Sequence, residues 1–443
     1  MAVEKDKVEI KELSIQNAKS GKSADLTGGI IQFSYYESIL SNHVTATMVV
    51  GDTGNTVGEG KDKKDLLNGL PVRGGEPVRL VAKDQEGNEL KFVNDNALYV
   101  NRVKDGLSDT TRNVASFDLC TKEFVANEQT RVVARYSGKI SESIKKILKN
   151  RLKTKNYKDS DIEETANSYN FIGNDRKPFY VLTWLATKSI PSDGAYGKTA
   201  GYLFFENKDG FQFKSIETLI GTTEGGGSSN QKQVKKFEYT NTDKKRDGFE
   251  KIQKYNINSN IDLQEKLTIG AYNNRTLFFD PFEFKVKEVD FDISKQKNKV
   301  KSSGTEIDFV AEEFRTGSTR FMTNILDVGT LPGGKDAAAQ LSEWKSNPAN
   351  TNDKVRDRMV QSIMRYNQIF SVNVDILIKA DFSLKAGDTI YCEFPGVGAE
   401  TKEVSKETSG YYLIASLCHK ITSSDAYTSI NLVRDSFGKK SVK

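Results

Sequence analysis

The sequence predicts a mainly β protein with α+β outer parts, and three observations lead there. Its first third is a succession of short runs rich in Val, Phe, Tyr and Thr, broken by turn clusters. Helical periodicity is confined to a few segments beyond position 140. One strand–turn–strand pattern occurs twice, 312 residues apart.

The early runs are "GGIIQFSYYESI", "HVTATMVVGD", "PVRLVAKD", "NELKFVN", "NALYVNRVK" and "RNVASFDLCTKEF", separated by Asp52–Gly54, Gly74-Gly75 and "DQEGN". Short strands at this spacing predict a barrel or a small sandwich. From Ala46 to Val50 the alternation is only partial, so the strand there rests on β-branching as much as on period.

At Ser141 the character changes. "SESIKKILKNRL" places Ile144, Ile147, Leu148 and Leu152 on one helical face, with Ser141 able to cap the first turn. A second helix starts at Pro178, a residue suited to the first helical position, and groups Tyr180 or Val181 with Trp184, Leu185 and Lys188. "GYLFFENKDGFQFKSI" (Gly201–Ile216) reads as an aromatic hairpin turning on "NKDG", with Gly at the left-handed position. Gly221–Gln233, "GTTEGGGSSNQKQ", has the composition of a flexible segment. "TLFFDPFEFKVKEVDFDI" is again strand-like, residues 294–352 are polar and mixed, and a helix is expected near Ala337–Trp344. "DKVRDRMVQSIMRY" follows as a helix with Val355, Met359, Ile363 and Tyr366 on or near one face. In "FSVNVDILIKA", Val372, Val374, Ile376 and Ile378 face one way and Asn373, Asp375 and Lys379 the other, which buries one side of a strand.

The repeat sits in "RGGEPVRLVA" and "KAGDTIYCEF". Each has a Gly (Gly75, Gly387), an acid (Glu76, Asp388), two residues and an alternating strand. An aromatic strand follows each, "NALYVNRVK" and "GYYLIASLCHK", and a similar strand closes each, "VASFDLCTKE" and "YTSINLVRDS". Gly387 lies 312 residues after Gly75 and Ser429 lies 313 after Ser116, a one-residue slip over more than forty, which argues for two copies of one β unit. The Gly supplies backbone freedom and the acid can bond back to the turn amides. This is turn chemistry, with nothing catalytic in it.

Composition narrows the function classes. A chain of 443 residues is long enough for about two to four domains. Only 37% of it is hydrophobic and 28% is charged, which implies much polar surface. A net charge of +5 over 65 basic and 60 acidic side chains implies no nucleic-acid or membrane patch. Cys120, Cys392 and Cys418 are odd in number and irregular in spacing, so a reducing compartment and no disulfide framework are expected. No signal peptide is read at the N-terminus, and no apolar run approaches ~18 residues, so a soluble protein made in the cytoplasm is predicted.

Chemistry-bearing motifs are sparse. His43 and His419 read as strand-associated residues, and adjacent Cys418 and His419 point to opposite faces, so they cannot clasp one metal. "SGKS" (Ser20–Ser23) resembles the end of a phosphate loop, but that loop needs Gly where Gln16 stands. "EGGGSS" lacks the dinucleotide spacing. No Ser sits in a strand–elbow–helix setting. No catalytic, cofactor or metal residue is therefore assigned, and no enzymatic activity is expected. A cell-wall polysaccharide hydrolase on a β scaffold would require two carboxylates about 5–9.5 Å apart across a cleft.

The order and spacing of "VTATMVVGD", "LPVRGGEPVRL", "GKISESIKKIL", the aromatic hairpin and "SGYYLIASLCHKITSSDAYTSINLVRDS" resemble the central baseplate hub protein of contractile-tailed, T-even-like bacteriophages, nearly end to end. The resemblance implies two similar β-barrel tube domains per chain plus outer domains, and a homotrimer forming a ring of six quasi-equivalent units. Such a ring would stack on the tail-tube hexamer on one face, hold a central spike, with or without a lysozyme domain, on the other, and contact surrounding baseplate proteins. Viral DNA would meet it only in transit, so its lumen should not bind phosphate tightly. On this reading the first barrel spans about 5–130, outer parts span 131–233 and 286–365, and the second barrel combines 234–285 with 366–437. The chain is longer than the family type, with extra polar length around 290–352. The implied location is the virion tail baseplate, assembled in the host cytoplasm. The related spike-base protein of a bacterial contractile injection or secretion apparatus is the alternative in the same class.

Overall fold

Alternating apolar residues draw the first 120 residues into eight antiparallel strands. The computed structural model describes residues 6–439 apart from 18, 55, 58–63, 109–111, 193–199, 222–233, 241–245, 259–261, 281–283, 296–301, 308–312, 314–316, 326–337, 340, 341, 343–345, 347–354 and 397–403. The strands are β1 (Glu9–Gln16), β2 (Ser23–Asp25), β3 (Ile30–Ser38), β4 (Thr45–Asp52), β5 (Pro77–Lys83), β6 (Glu89–Phe92), β7 (Leu98–Ser108) and β8 (Asn113–Cys120), with a short α1 (Leu66–Gly69) between β4 and β5. They bond in the order β3-β4-β8-β7-β5-β1-β2, with β6 also on β5. In β4 the alternation is complete: Ala46, Met48 and Val50 are buried and Thr45, Thr47 and Val49 are not. Ile15, Phe33, Met48, Leu80, Val100 and Phe117, from six different strands, share one core, so the sheet curls over its own inner face.

An α/β part follows, made of α2 (Lys122–Gln129), β9 (Arg135–Tyr136), α3 (Ile140–Ile147), β10 (Phe171–Ile172), α4 (Pro178–Ala186), β11 (Tyr202–Asn207), β12 (Gly210–Ser215) and α5 (Ile216–Gly221). It has its own core, in which Ile144, Ile147, Leu148 and Leu152 meet Leu182, Phe204 and Phe211. "TKEF", expected as the end of a strand, instead opens α2. Ser141 does not cap α3. The helix begins one residue earlier, and Ser141 is buried inside it, its N–H donating to Thr165 Oγ1 at 3.1 Å and its hydroxyl accepting from Thr165 N–H at 3.3 Å. Pro178 is the first residue of α4, which buries Val181 and Leu185 and exposes Tyr180. In the hairpin Asn207 pairs with Gly210, whose φ is +113°.

The rest of the chain adds β13 (Lys236–Tyr239), β14 (Glu250–Ile252), β15 (Lys254–Ile257), α6 (Leu263–Thr268), β16 (Asn273–Asp280), β17 (Lys285–Asp292), β18 (Glu306–Ile307), β19 (Arg320–Ile325), α7 (Val355–Gln368), β20 (Val372–Lys379), β21 (Thr389–Glu393), β22 (Gly410–Thr422), β23 (Ala426–Arg434) and β24 (Ser436–Phe437). Five of these bond in the order β15-β20-β23-β22-β21, and β13 and β14 continue in parallel beyond β21. Val374, Ile376, Ile390, Tyr412, Leu417 and Ile430 form their core. β22 is long: Gly410–Leu413 pair with β21, and Ser416–Thr422 pair with β3. That handover joins both strand sets in one continuous 15-stranded sheet over two cores.

Some expected boundaries move. β16 pairs with β17 and β19 in a separate three-stranded sheet, so a limit at 285 falls inside a hairpin. α7 buries Val360, Met364, Arg365 and Gln368, while Ile363 and Tyr366 are only half-buried. The face is rotated from the expected one because Arg365 carries ion pairs inward. Nothing in the sequence period signals that. Apart from Gly221, the segment read as flexible lies outside the described residues, as do the side chains of Val355 and Met359 and most of the helix expected over Ala337–Trp344.

Candidate assembly interface

Gly75 and Gly387 occupy matching turns. Gly75 N–H donates to Val100 O at 2.7 Å and Val100 N–H returns to Glu76 O at 2.9 Å. Gly387 N–H donates to Ile414 O at 3.0 Å and Ile414 N–H returns to Asp388 O at 2.8 Å. The two φ values are +87° and +89°. One step later each receiving strand shifts register, between Val100 and Arg102 in β7 and between Ile414 and Ser416 in β22, so each unit carries a bulge at the same place. The acids differ. The Glu76 carboxylate accepts from the N–H groups of Arg73 (2.9 Å) and Gly74 (2.8 Å), whereas Asp388 donates its own N–H to Lys385 O at 3.2 Å.

The surroundings of the glycines separate their substitution costs. A Cβ on Gly75 meets nothing within 4 Å, and one on Gly387 falls 2.8 Å from Phe205 Cζ. Gly75→Ala should therefore cost about 1 kcal/mol from backbone strain, and Gly387→Ala about 2–4 kcal/mol once the clash with a fully buried ring is included. Urea midpoints of the two variants check the ranking.

Phe205 belongs to a three-way node. The Glu37 side chain shares the inward face of β3 with Phe33 and Tyr35. It accepts from Tyr35 O–H (2.9 Å), from Lys208 N–H in the β11–β12 turn (2.6 Å) and from Ala386 N–H beside Gly387 (2.6 Å). One carboxylate thus holds the first strand set, the inserted hairpin and the second strand set. Asn207 Nδ2 donates to Ala386 O at 3.2 Å, Lys385 pairs with Asp209 at 2.5 Å, Lys208 Nζ reaches Phe382 O, and Asp84 accepts from Phe382 N–H at 2.9 Å. A small core of Ile39, Leu203, Phe205, Leu219, Ala386 and Leu413 lies alongside. Burial pushes the Glu37 carboxyl up to about 7 against the pull of its three donors. Burial also pushes Glu206 well up, with Glu123 adding to the effect, although Val44 N–H, Thr121 Oγ1 and Asn156 Nδ2 donate to it. Both acids are positioned as hydrogen-bonded fasteners between parts.

The remaining sequence candidates lie apart from one another. His43 stacks on Phe124 at 4.1 Å, and burial lowers its pKa. His419 is fully buried, its Nδ1 2.9 Å from Thr428 Oγ1, and burial holds the imidazole down to about 3, hence neutral. Ser20–Ser23 lie in and beside the β1–β2 turn, where Asn17 Oδ1 accepts from Lys19 and Ser20 N–H. Among the described residues no three His, Cys, Asp or Glu converge as metal ligands, and no helix is long and apolar enough to cross a membrane.

No family model matches the chain, and neither does any curated protein. Solved structures do. The 43 kDa tail protein of prophage MuSo2 from Shewanella oneidensis is similar over 96% of this chain and 98% of its own, at 10% identity and a TM-score of 0.51. A tail protein from Neisseria meningitidis MC58 aligns over 96% of each chain at 10% identity and a TM-score of 0.48. Prophage tail protein gp18 from Listeria monocytogenes EGD-e aligns over 96% of this chain and 94% of its own at 9% identity, with a TM-score of 0.44. The class is thus set by fold: mainly β, with the architecture seen in a prophage tail protein. The tail protein of prophage MuSo2 from Shewanella oneidensis shares this fold along nearly the full length of both chains.

Proposed function

We propose that the protein is a structural baseplate hub of a phage tail. Three copies form a pseudo-six-fold ring that connects the tail tube to the central spike and lets the genome pass. One observation carries this reading. A chain with a tail-protein fold holds the strand order β3-β4-β8-β7-β5 and again the order β15-β20-β23-β22-β21, with equivalent turns at Gly75 and Gly387. A unit present twice per chain lets three chains present six similar faces, which reconciles a six-fold tube with a three-fold spike. The first tube unit then comprises β1–β8, and the second β13–β15 with β20–β23. The α/β part and the β16–β17–β19 sheet are the outer additions. The protein acts in the virion tail after assembly in the host cytoplasm, without catalysis, and meets DNA only in passage.

Light scattering on the purified chain should give roughly three times 49.4 kDa, and negative-stain images should show a ring with a bore. A monomer at every concentration, or a particle without a bore, overturns the reading. A monomer that degrades cell wall supports a hydrolase instead.

A further inference from the structure

Among the described residues the two strand sets share one strand ladder: Ser416–Thr422 of β22 lie antiparallel to Gln32–Ser38 of β3. Each set also holds a counterpart of the other's contributing edge. The ladder Met48–Phe117–Val103 in the first set corresponds to Ile376–Ile430–Leu417 in the second. That correspondence puts Arg102–Asp105 of β7 in the position of Ser416–His419, before a second register shift between Asp105 and Ser108. It puts Lys254–Ile257 of β15 in the position of Gln32–Tyr35, since Phe33 pairs with Met48 and Tyr255 with Ile376. Asn258 extends the match: its N–H donates to Asn373 O, as Tyr36 pairs with Thr45.

These two counterparts have open sides. Among the described residues, β7 beyond Tyr99 pairs with β8 alone, and β15 pairs with β20 alone. Arg102, Lys104, Lys254 and Asn256 are exposed along them. An uncovered strand edge is a template for another strand, and charged side chains limit it to a specific partner.

We propose that β7 of one protomer pairs antiparallel with β15 of a second copy of this chain, repeating the β22–β3 junction. Lys104 then stands opposite Asn258, as Cys418 stands opposite Tyr36 within the chain. The contact joins two different edges, so it propagates head to tail and must close or extend as a filament. Its closure at three chains rests on the hub reading above. The pairing itself rests on the repeated strand order.

The test uses the full chain carrying Lys104→Cys and Asn258→Cys. Lys104 contributes only a surface ion pair with Asp118, so its loss should be tolerated. Cross-strand partners hold their Cβ atoms within disulfide reach. Mild oxidation should therefore give a thiol-reversible covalent trimer, about tenfold or more above either single variant. A trimer by light scattering that cross-links no better than the single variants overturns the pairing and leaves the hub reading standing. A monomer that does not cross-link overturns both, and a ladder running past three chains upholds the pairing and overturns the ring. Hydrogen exchange on the unaltered protein serves if the double variant does not fold. Amides of 102–105 and 254–257 should gain protection on assembly, and edges that exchange freely in an assembled trimer overturn the pairing.

Discussion

Ile376→Asp is expected to leave no folded chain. Ile376 is 2% exposed at the centre of β20, bonded on one side to Tyr255 of β15 and on the other to Ile430 of β23. It packs in a core with Val374, Ile378 and Leu417. Truncating such a side chain alone costs about 2–5 kcal/mol. The aspartate adds a polar group with only apolar neighbours on that face, a further cost of several kcal/mol whether it ionises or takes up a proton. The sum approaches the whole stability of an ordinary domain, about 5–15 kcal/mol. Soluble yield and near-UV circular dichroism check it. Ile376→Val, at about 1 kcal/mol, should fold and melt slightly earlier. A wild-type melting curve for the aspartate variant would mean that this face of β20 does not line the core.

Arg365→Met is the second large effect. Arg365 on α7 lies 3.1 Å from Glu217 in α5 and 3.2 Å from Asp435 just after β23, and all three side chains are 1% exposed. The triad ties the helix that leads into β20 to the α/β part and to the chain's last strands. Without the guanidinium, two buried carboxylates lose the cation that lies between them. Removing one partner of a buried pair costs about 3–5 kcal/mol. Replacing all three, by adding Glu217→Gln and Asp435→Asn, removes the stranded charge and should recover most of the loss. Denaturant midpoints of the single and triple variants decide it. A triple variant no more stable than the single one would show that packing, rather than charge, dominates there.

Strand positions were legible because burial on one face leaves a period of two, as in Val372–Ile378 and in the runs that became β5 and β8. The strand β1 escaped because its register shifts between Ile10 and Glu12, which breaks the phase between Ile10 and Leu13. Ser141 looked like a cap because short polar residues favour that place, but its hydroxyl is committed to Thr165, a long-range contact no local pattern encodes. Glu37 was partly readable. In "FSYYES" it follows Phe33 and Tyr35 at strand period, which turns a carboxylate inward and announces that something must meet it. That the partners would be Lys208 and Ala386 depends on the tertiary fold alone.

The fastening at Glu37 has a bearing on curvature. Because one side chain binds both halves and the wedge between them, the bend from one half to the next is already formed in the single polypeptide, before any neighbour arrives. On the proposed hub reading, each chain would reach its assembly with that bend preset rather than as two beads on a string, so three such chains would have little orientational freedom left to lose. The width of the proposed bore would then be a property inherited from within the subunit.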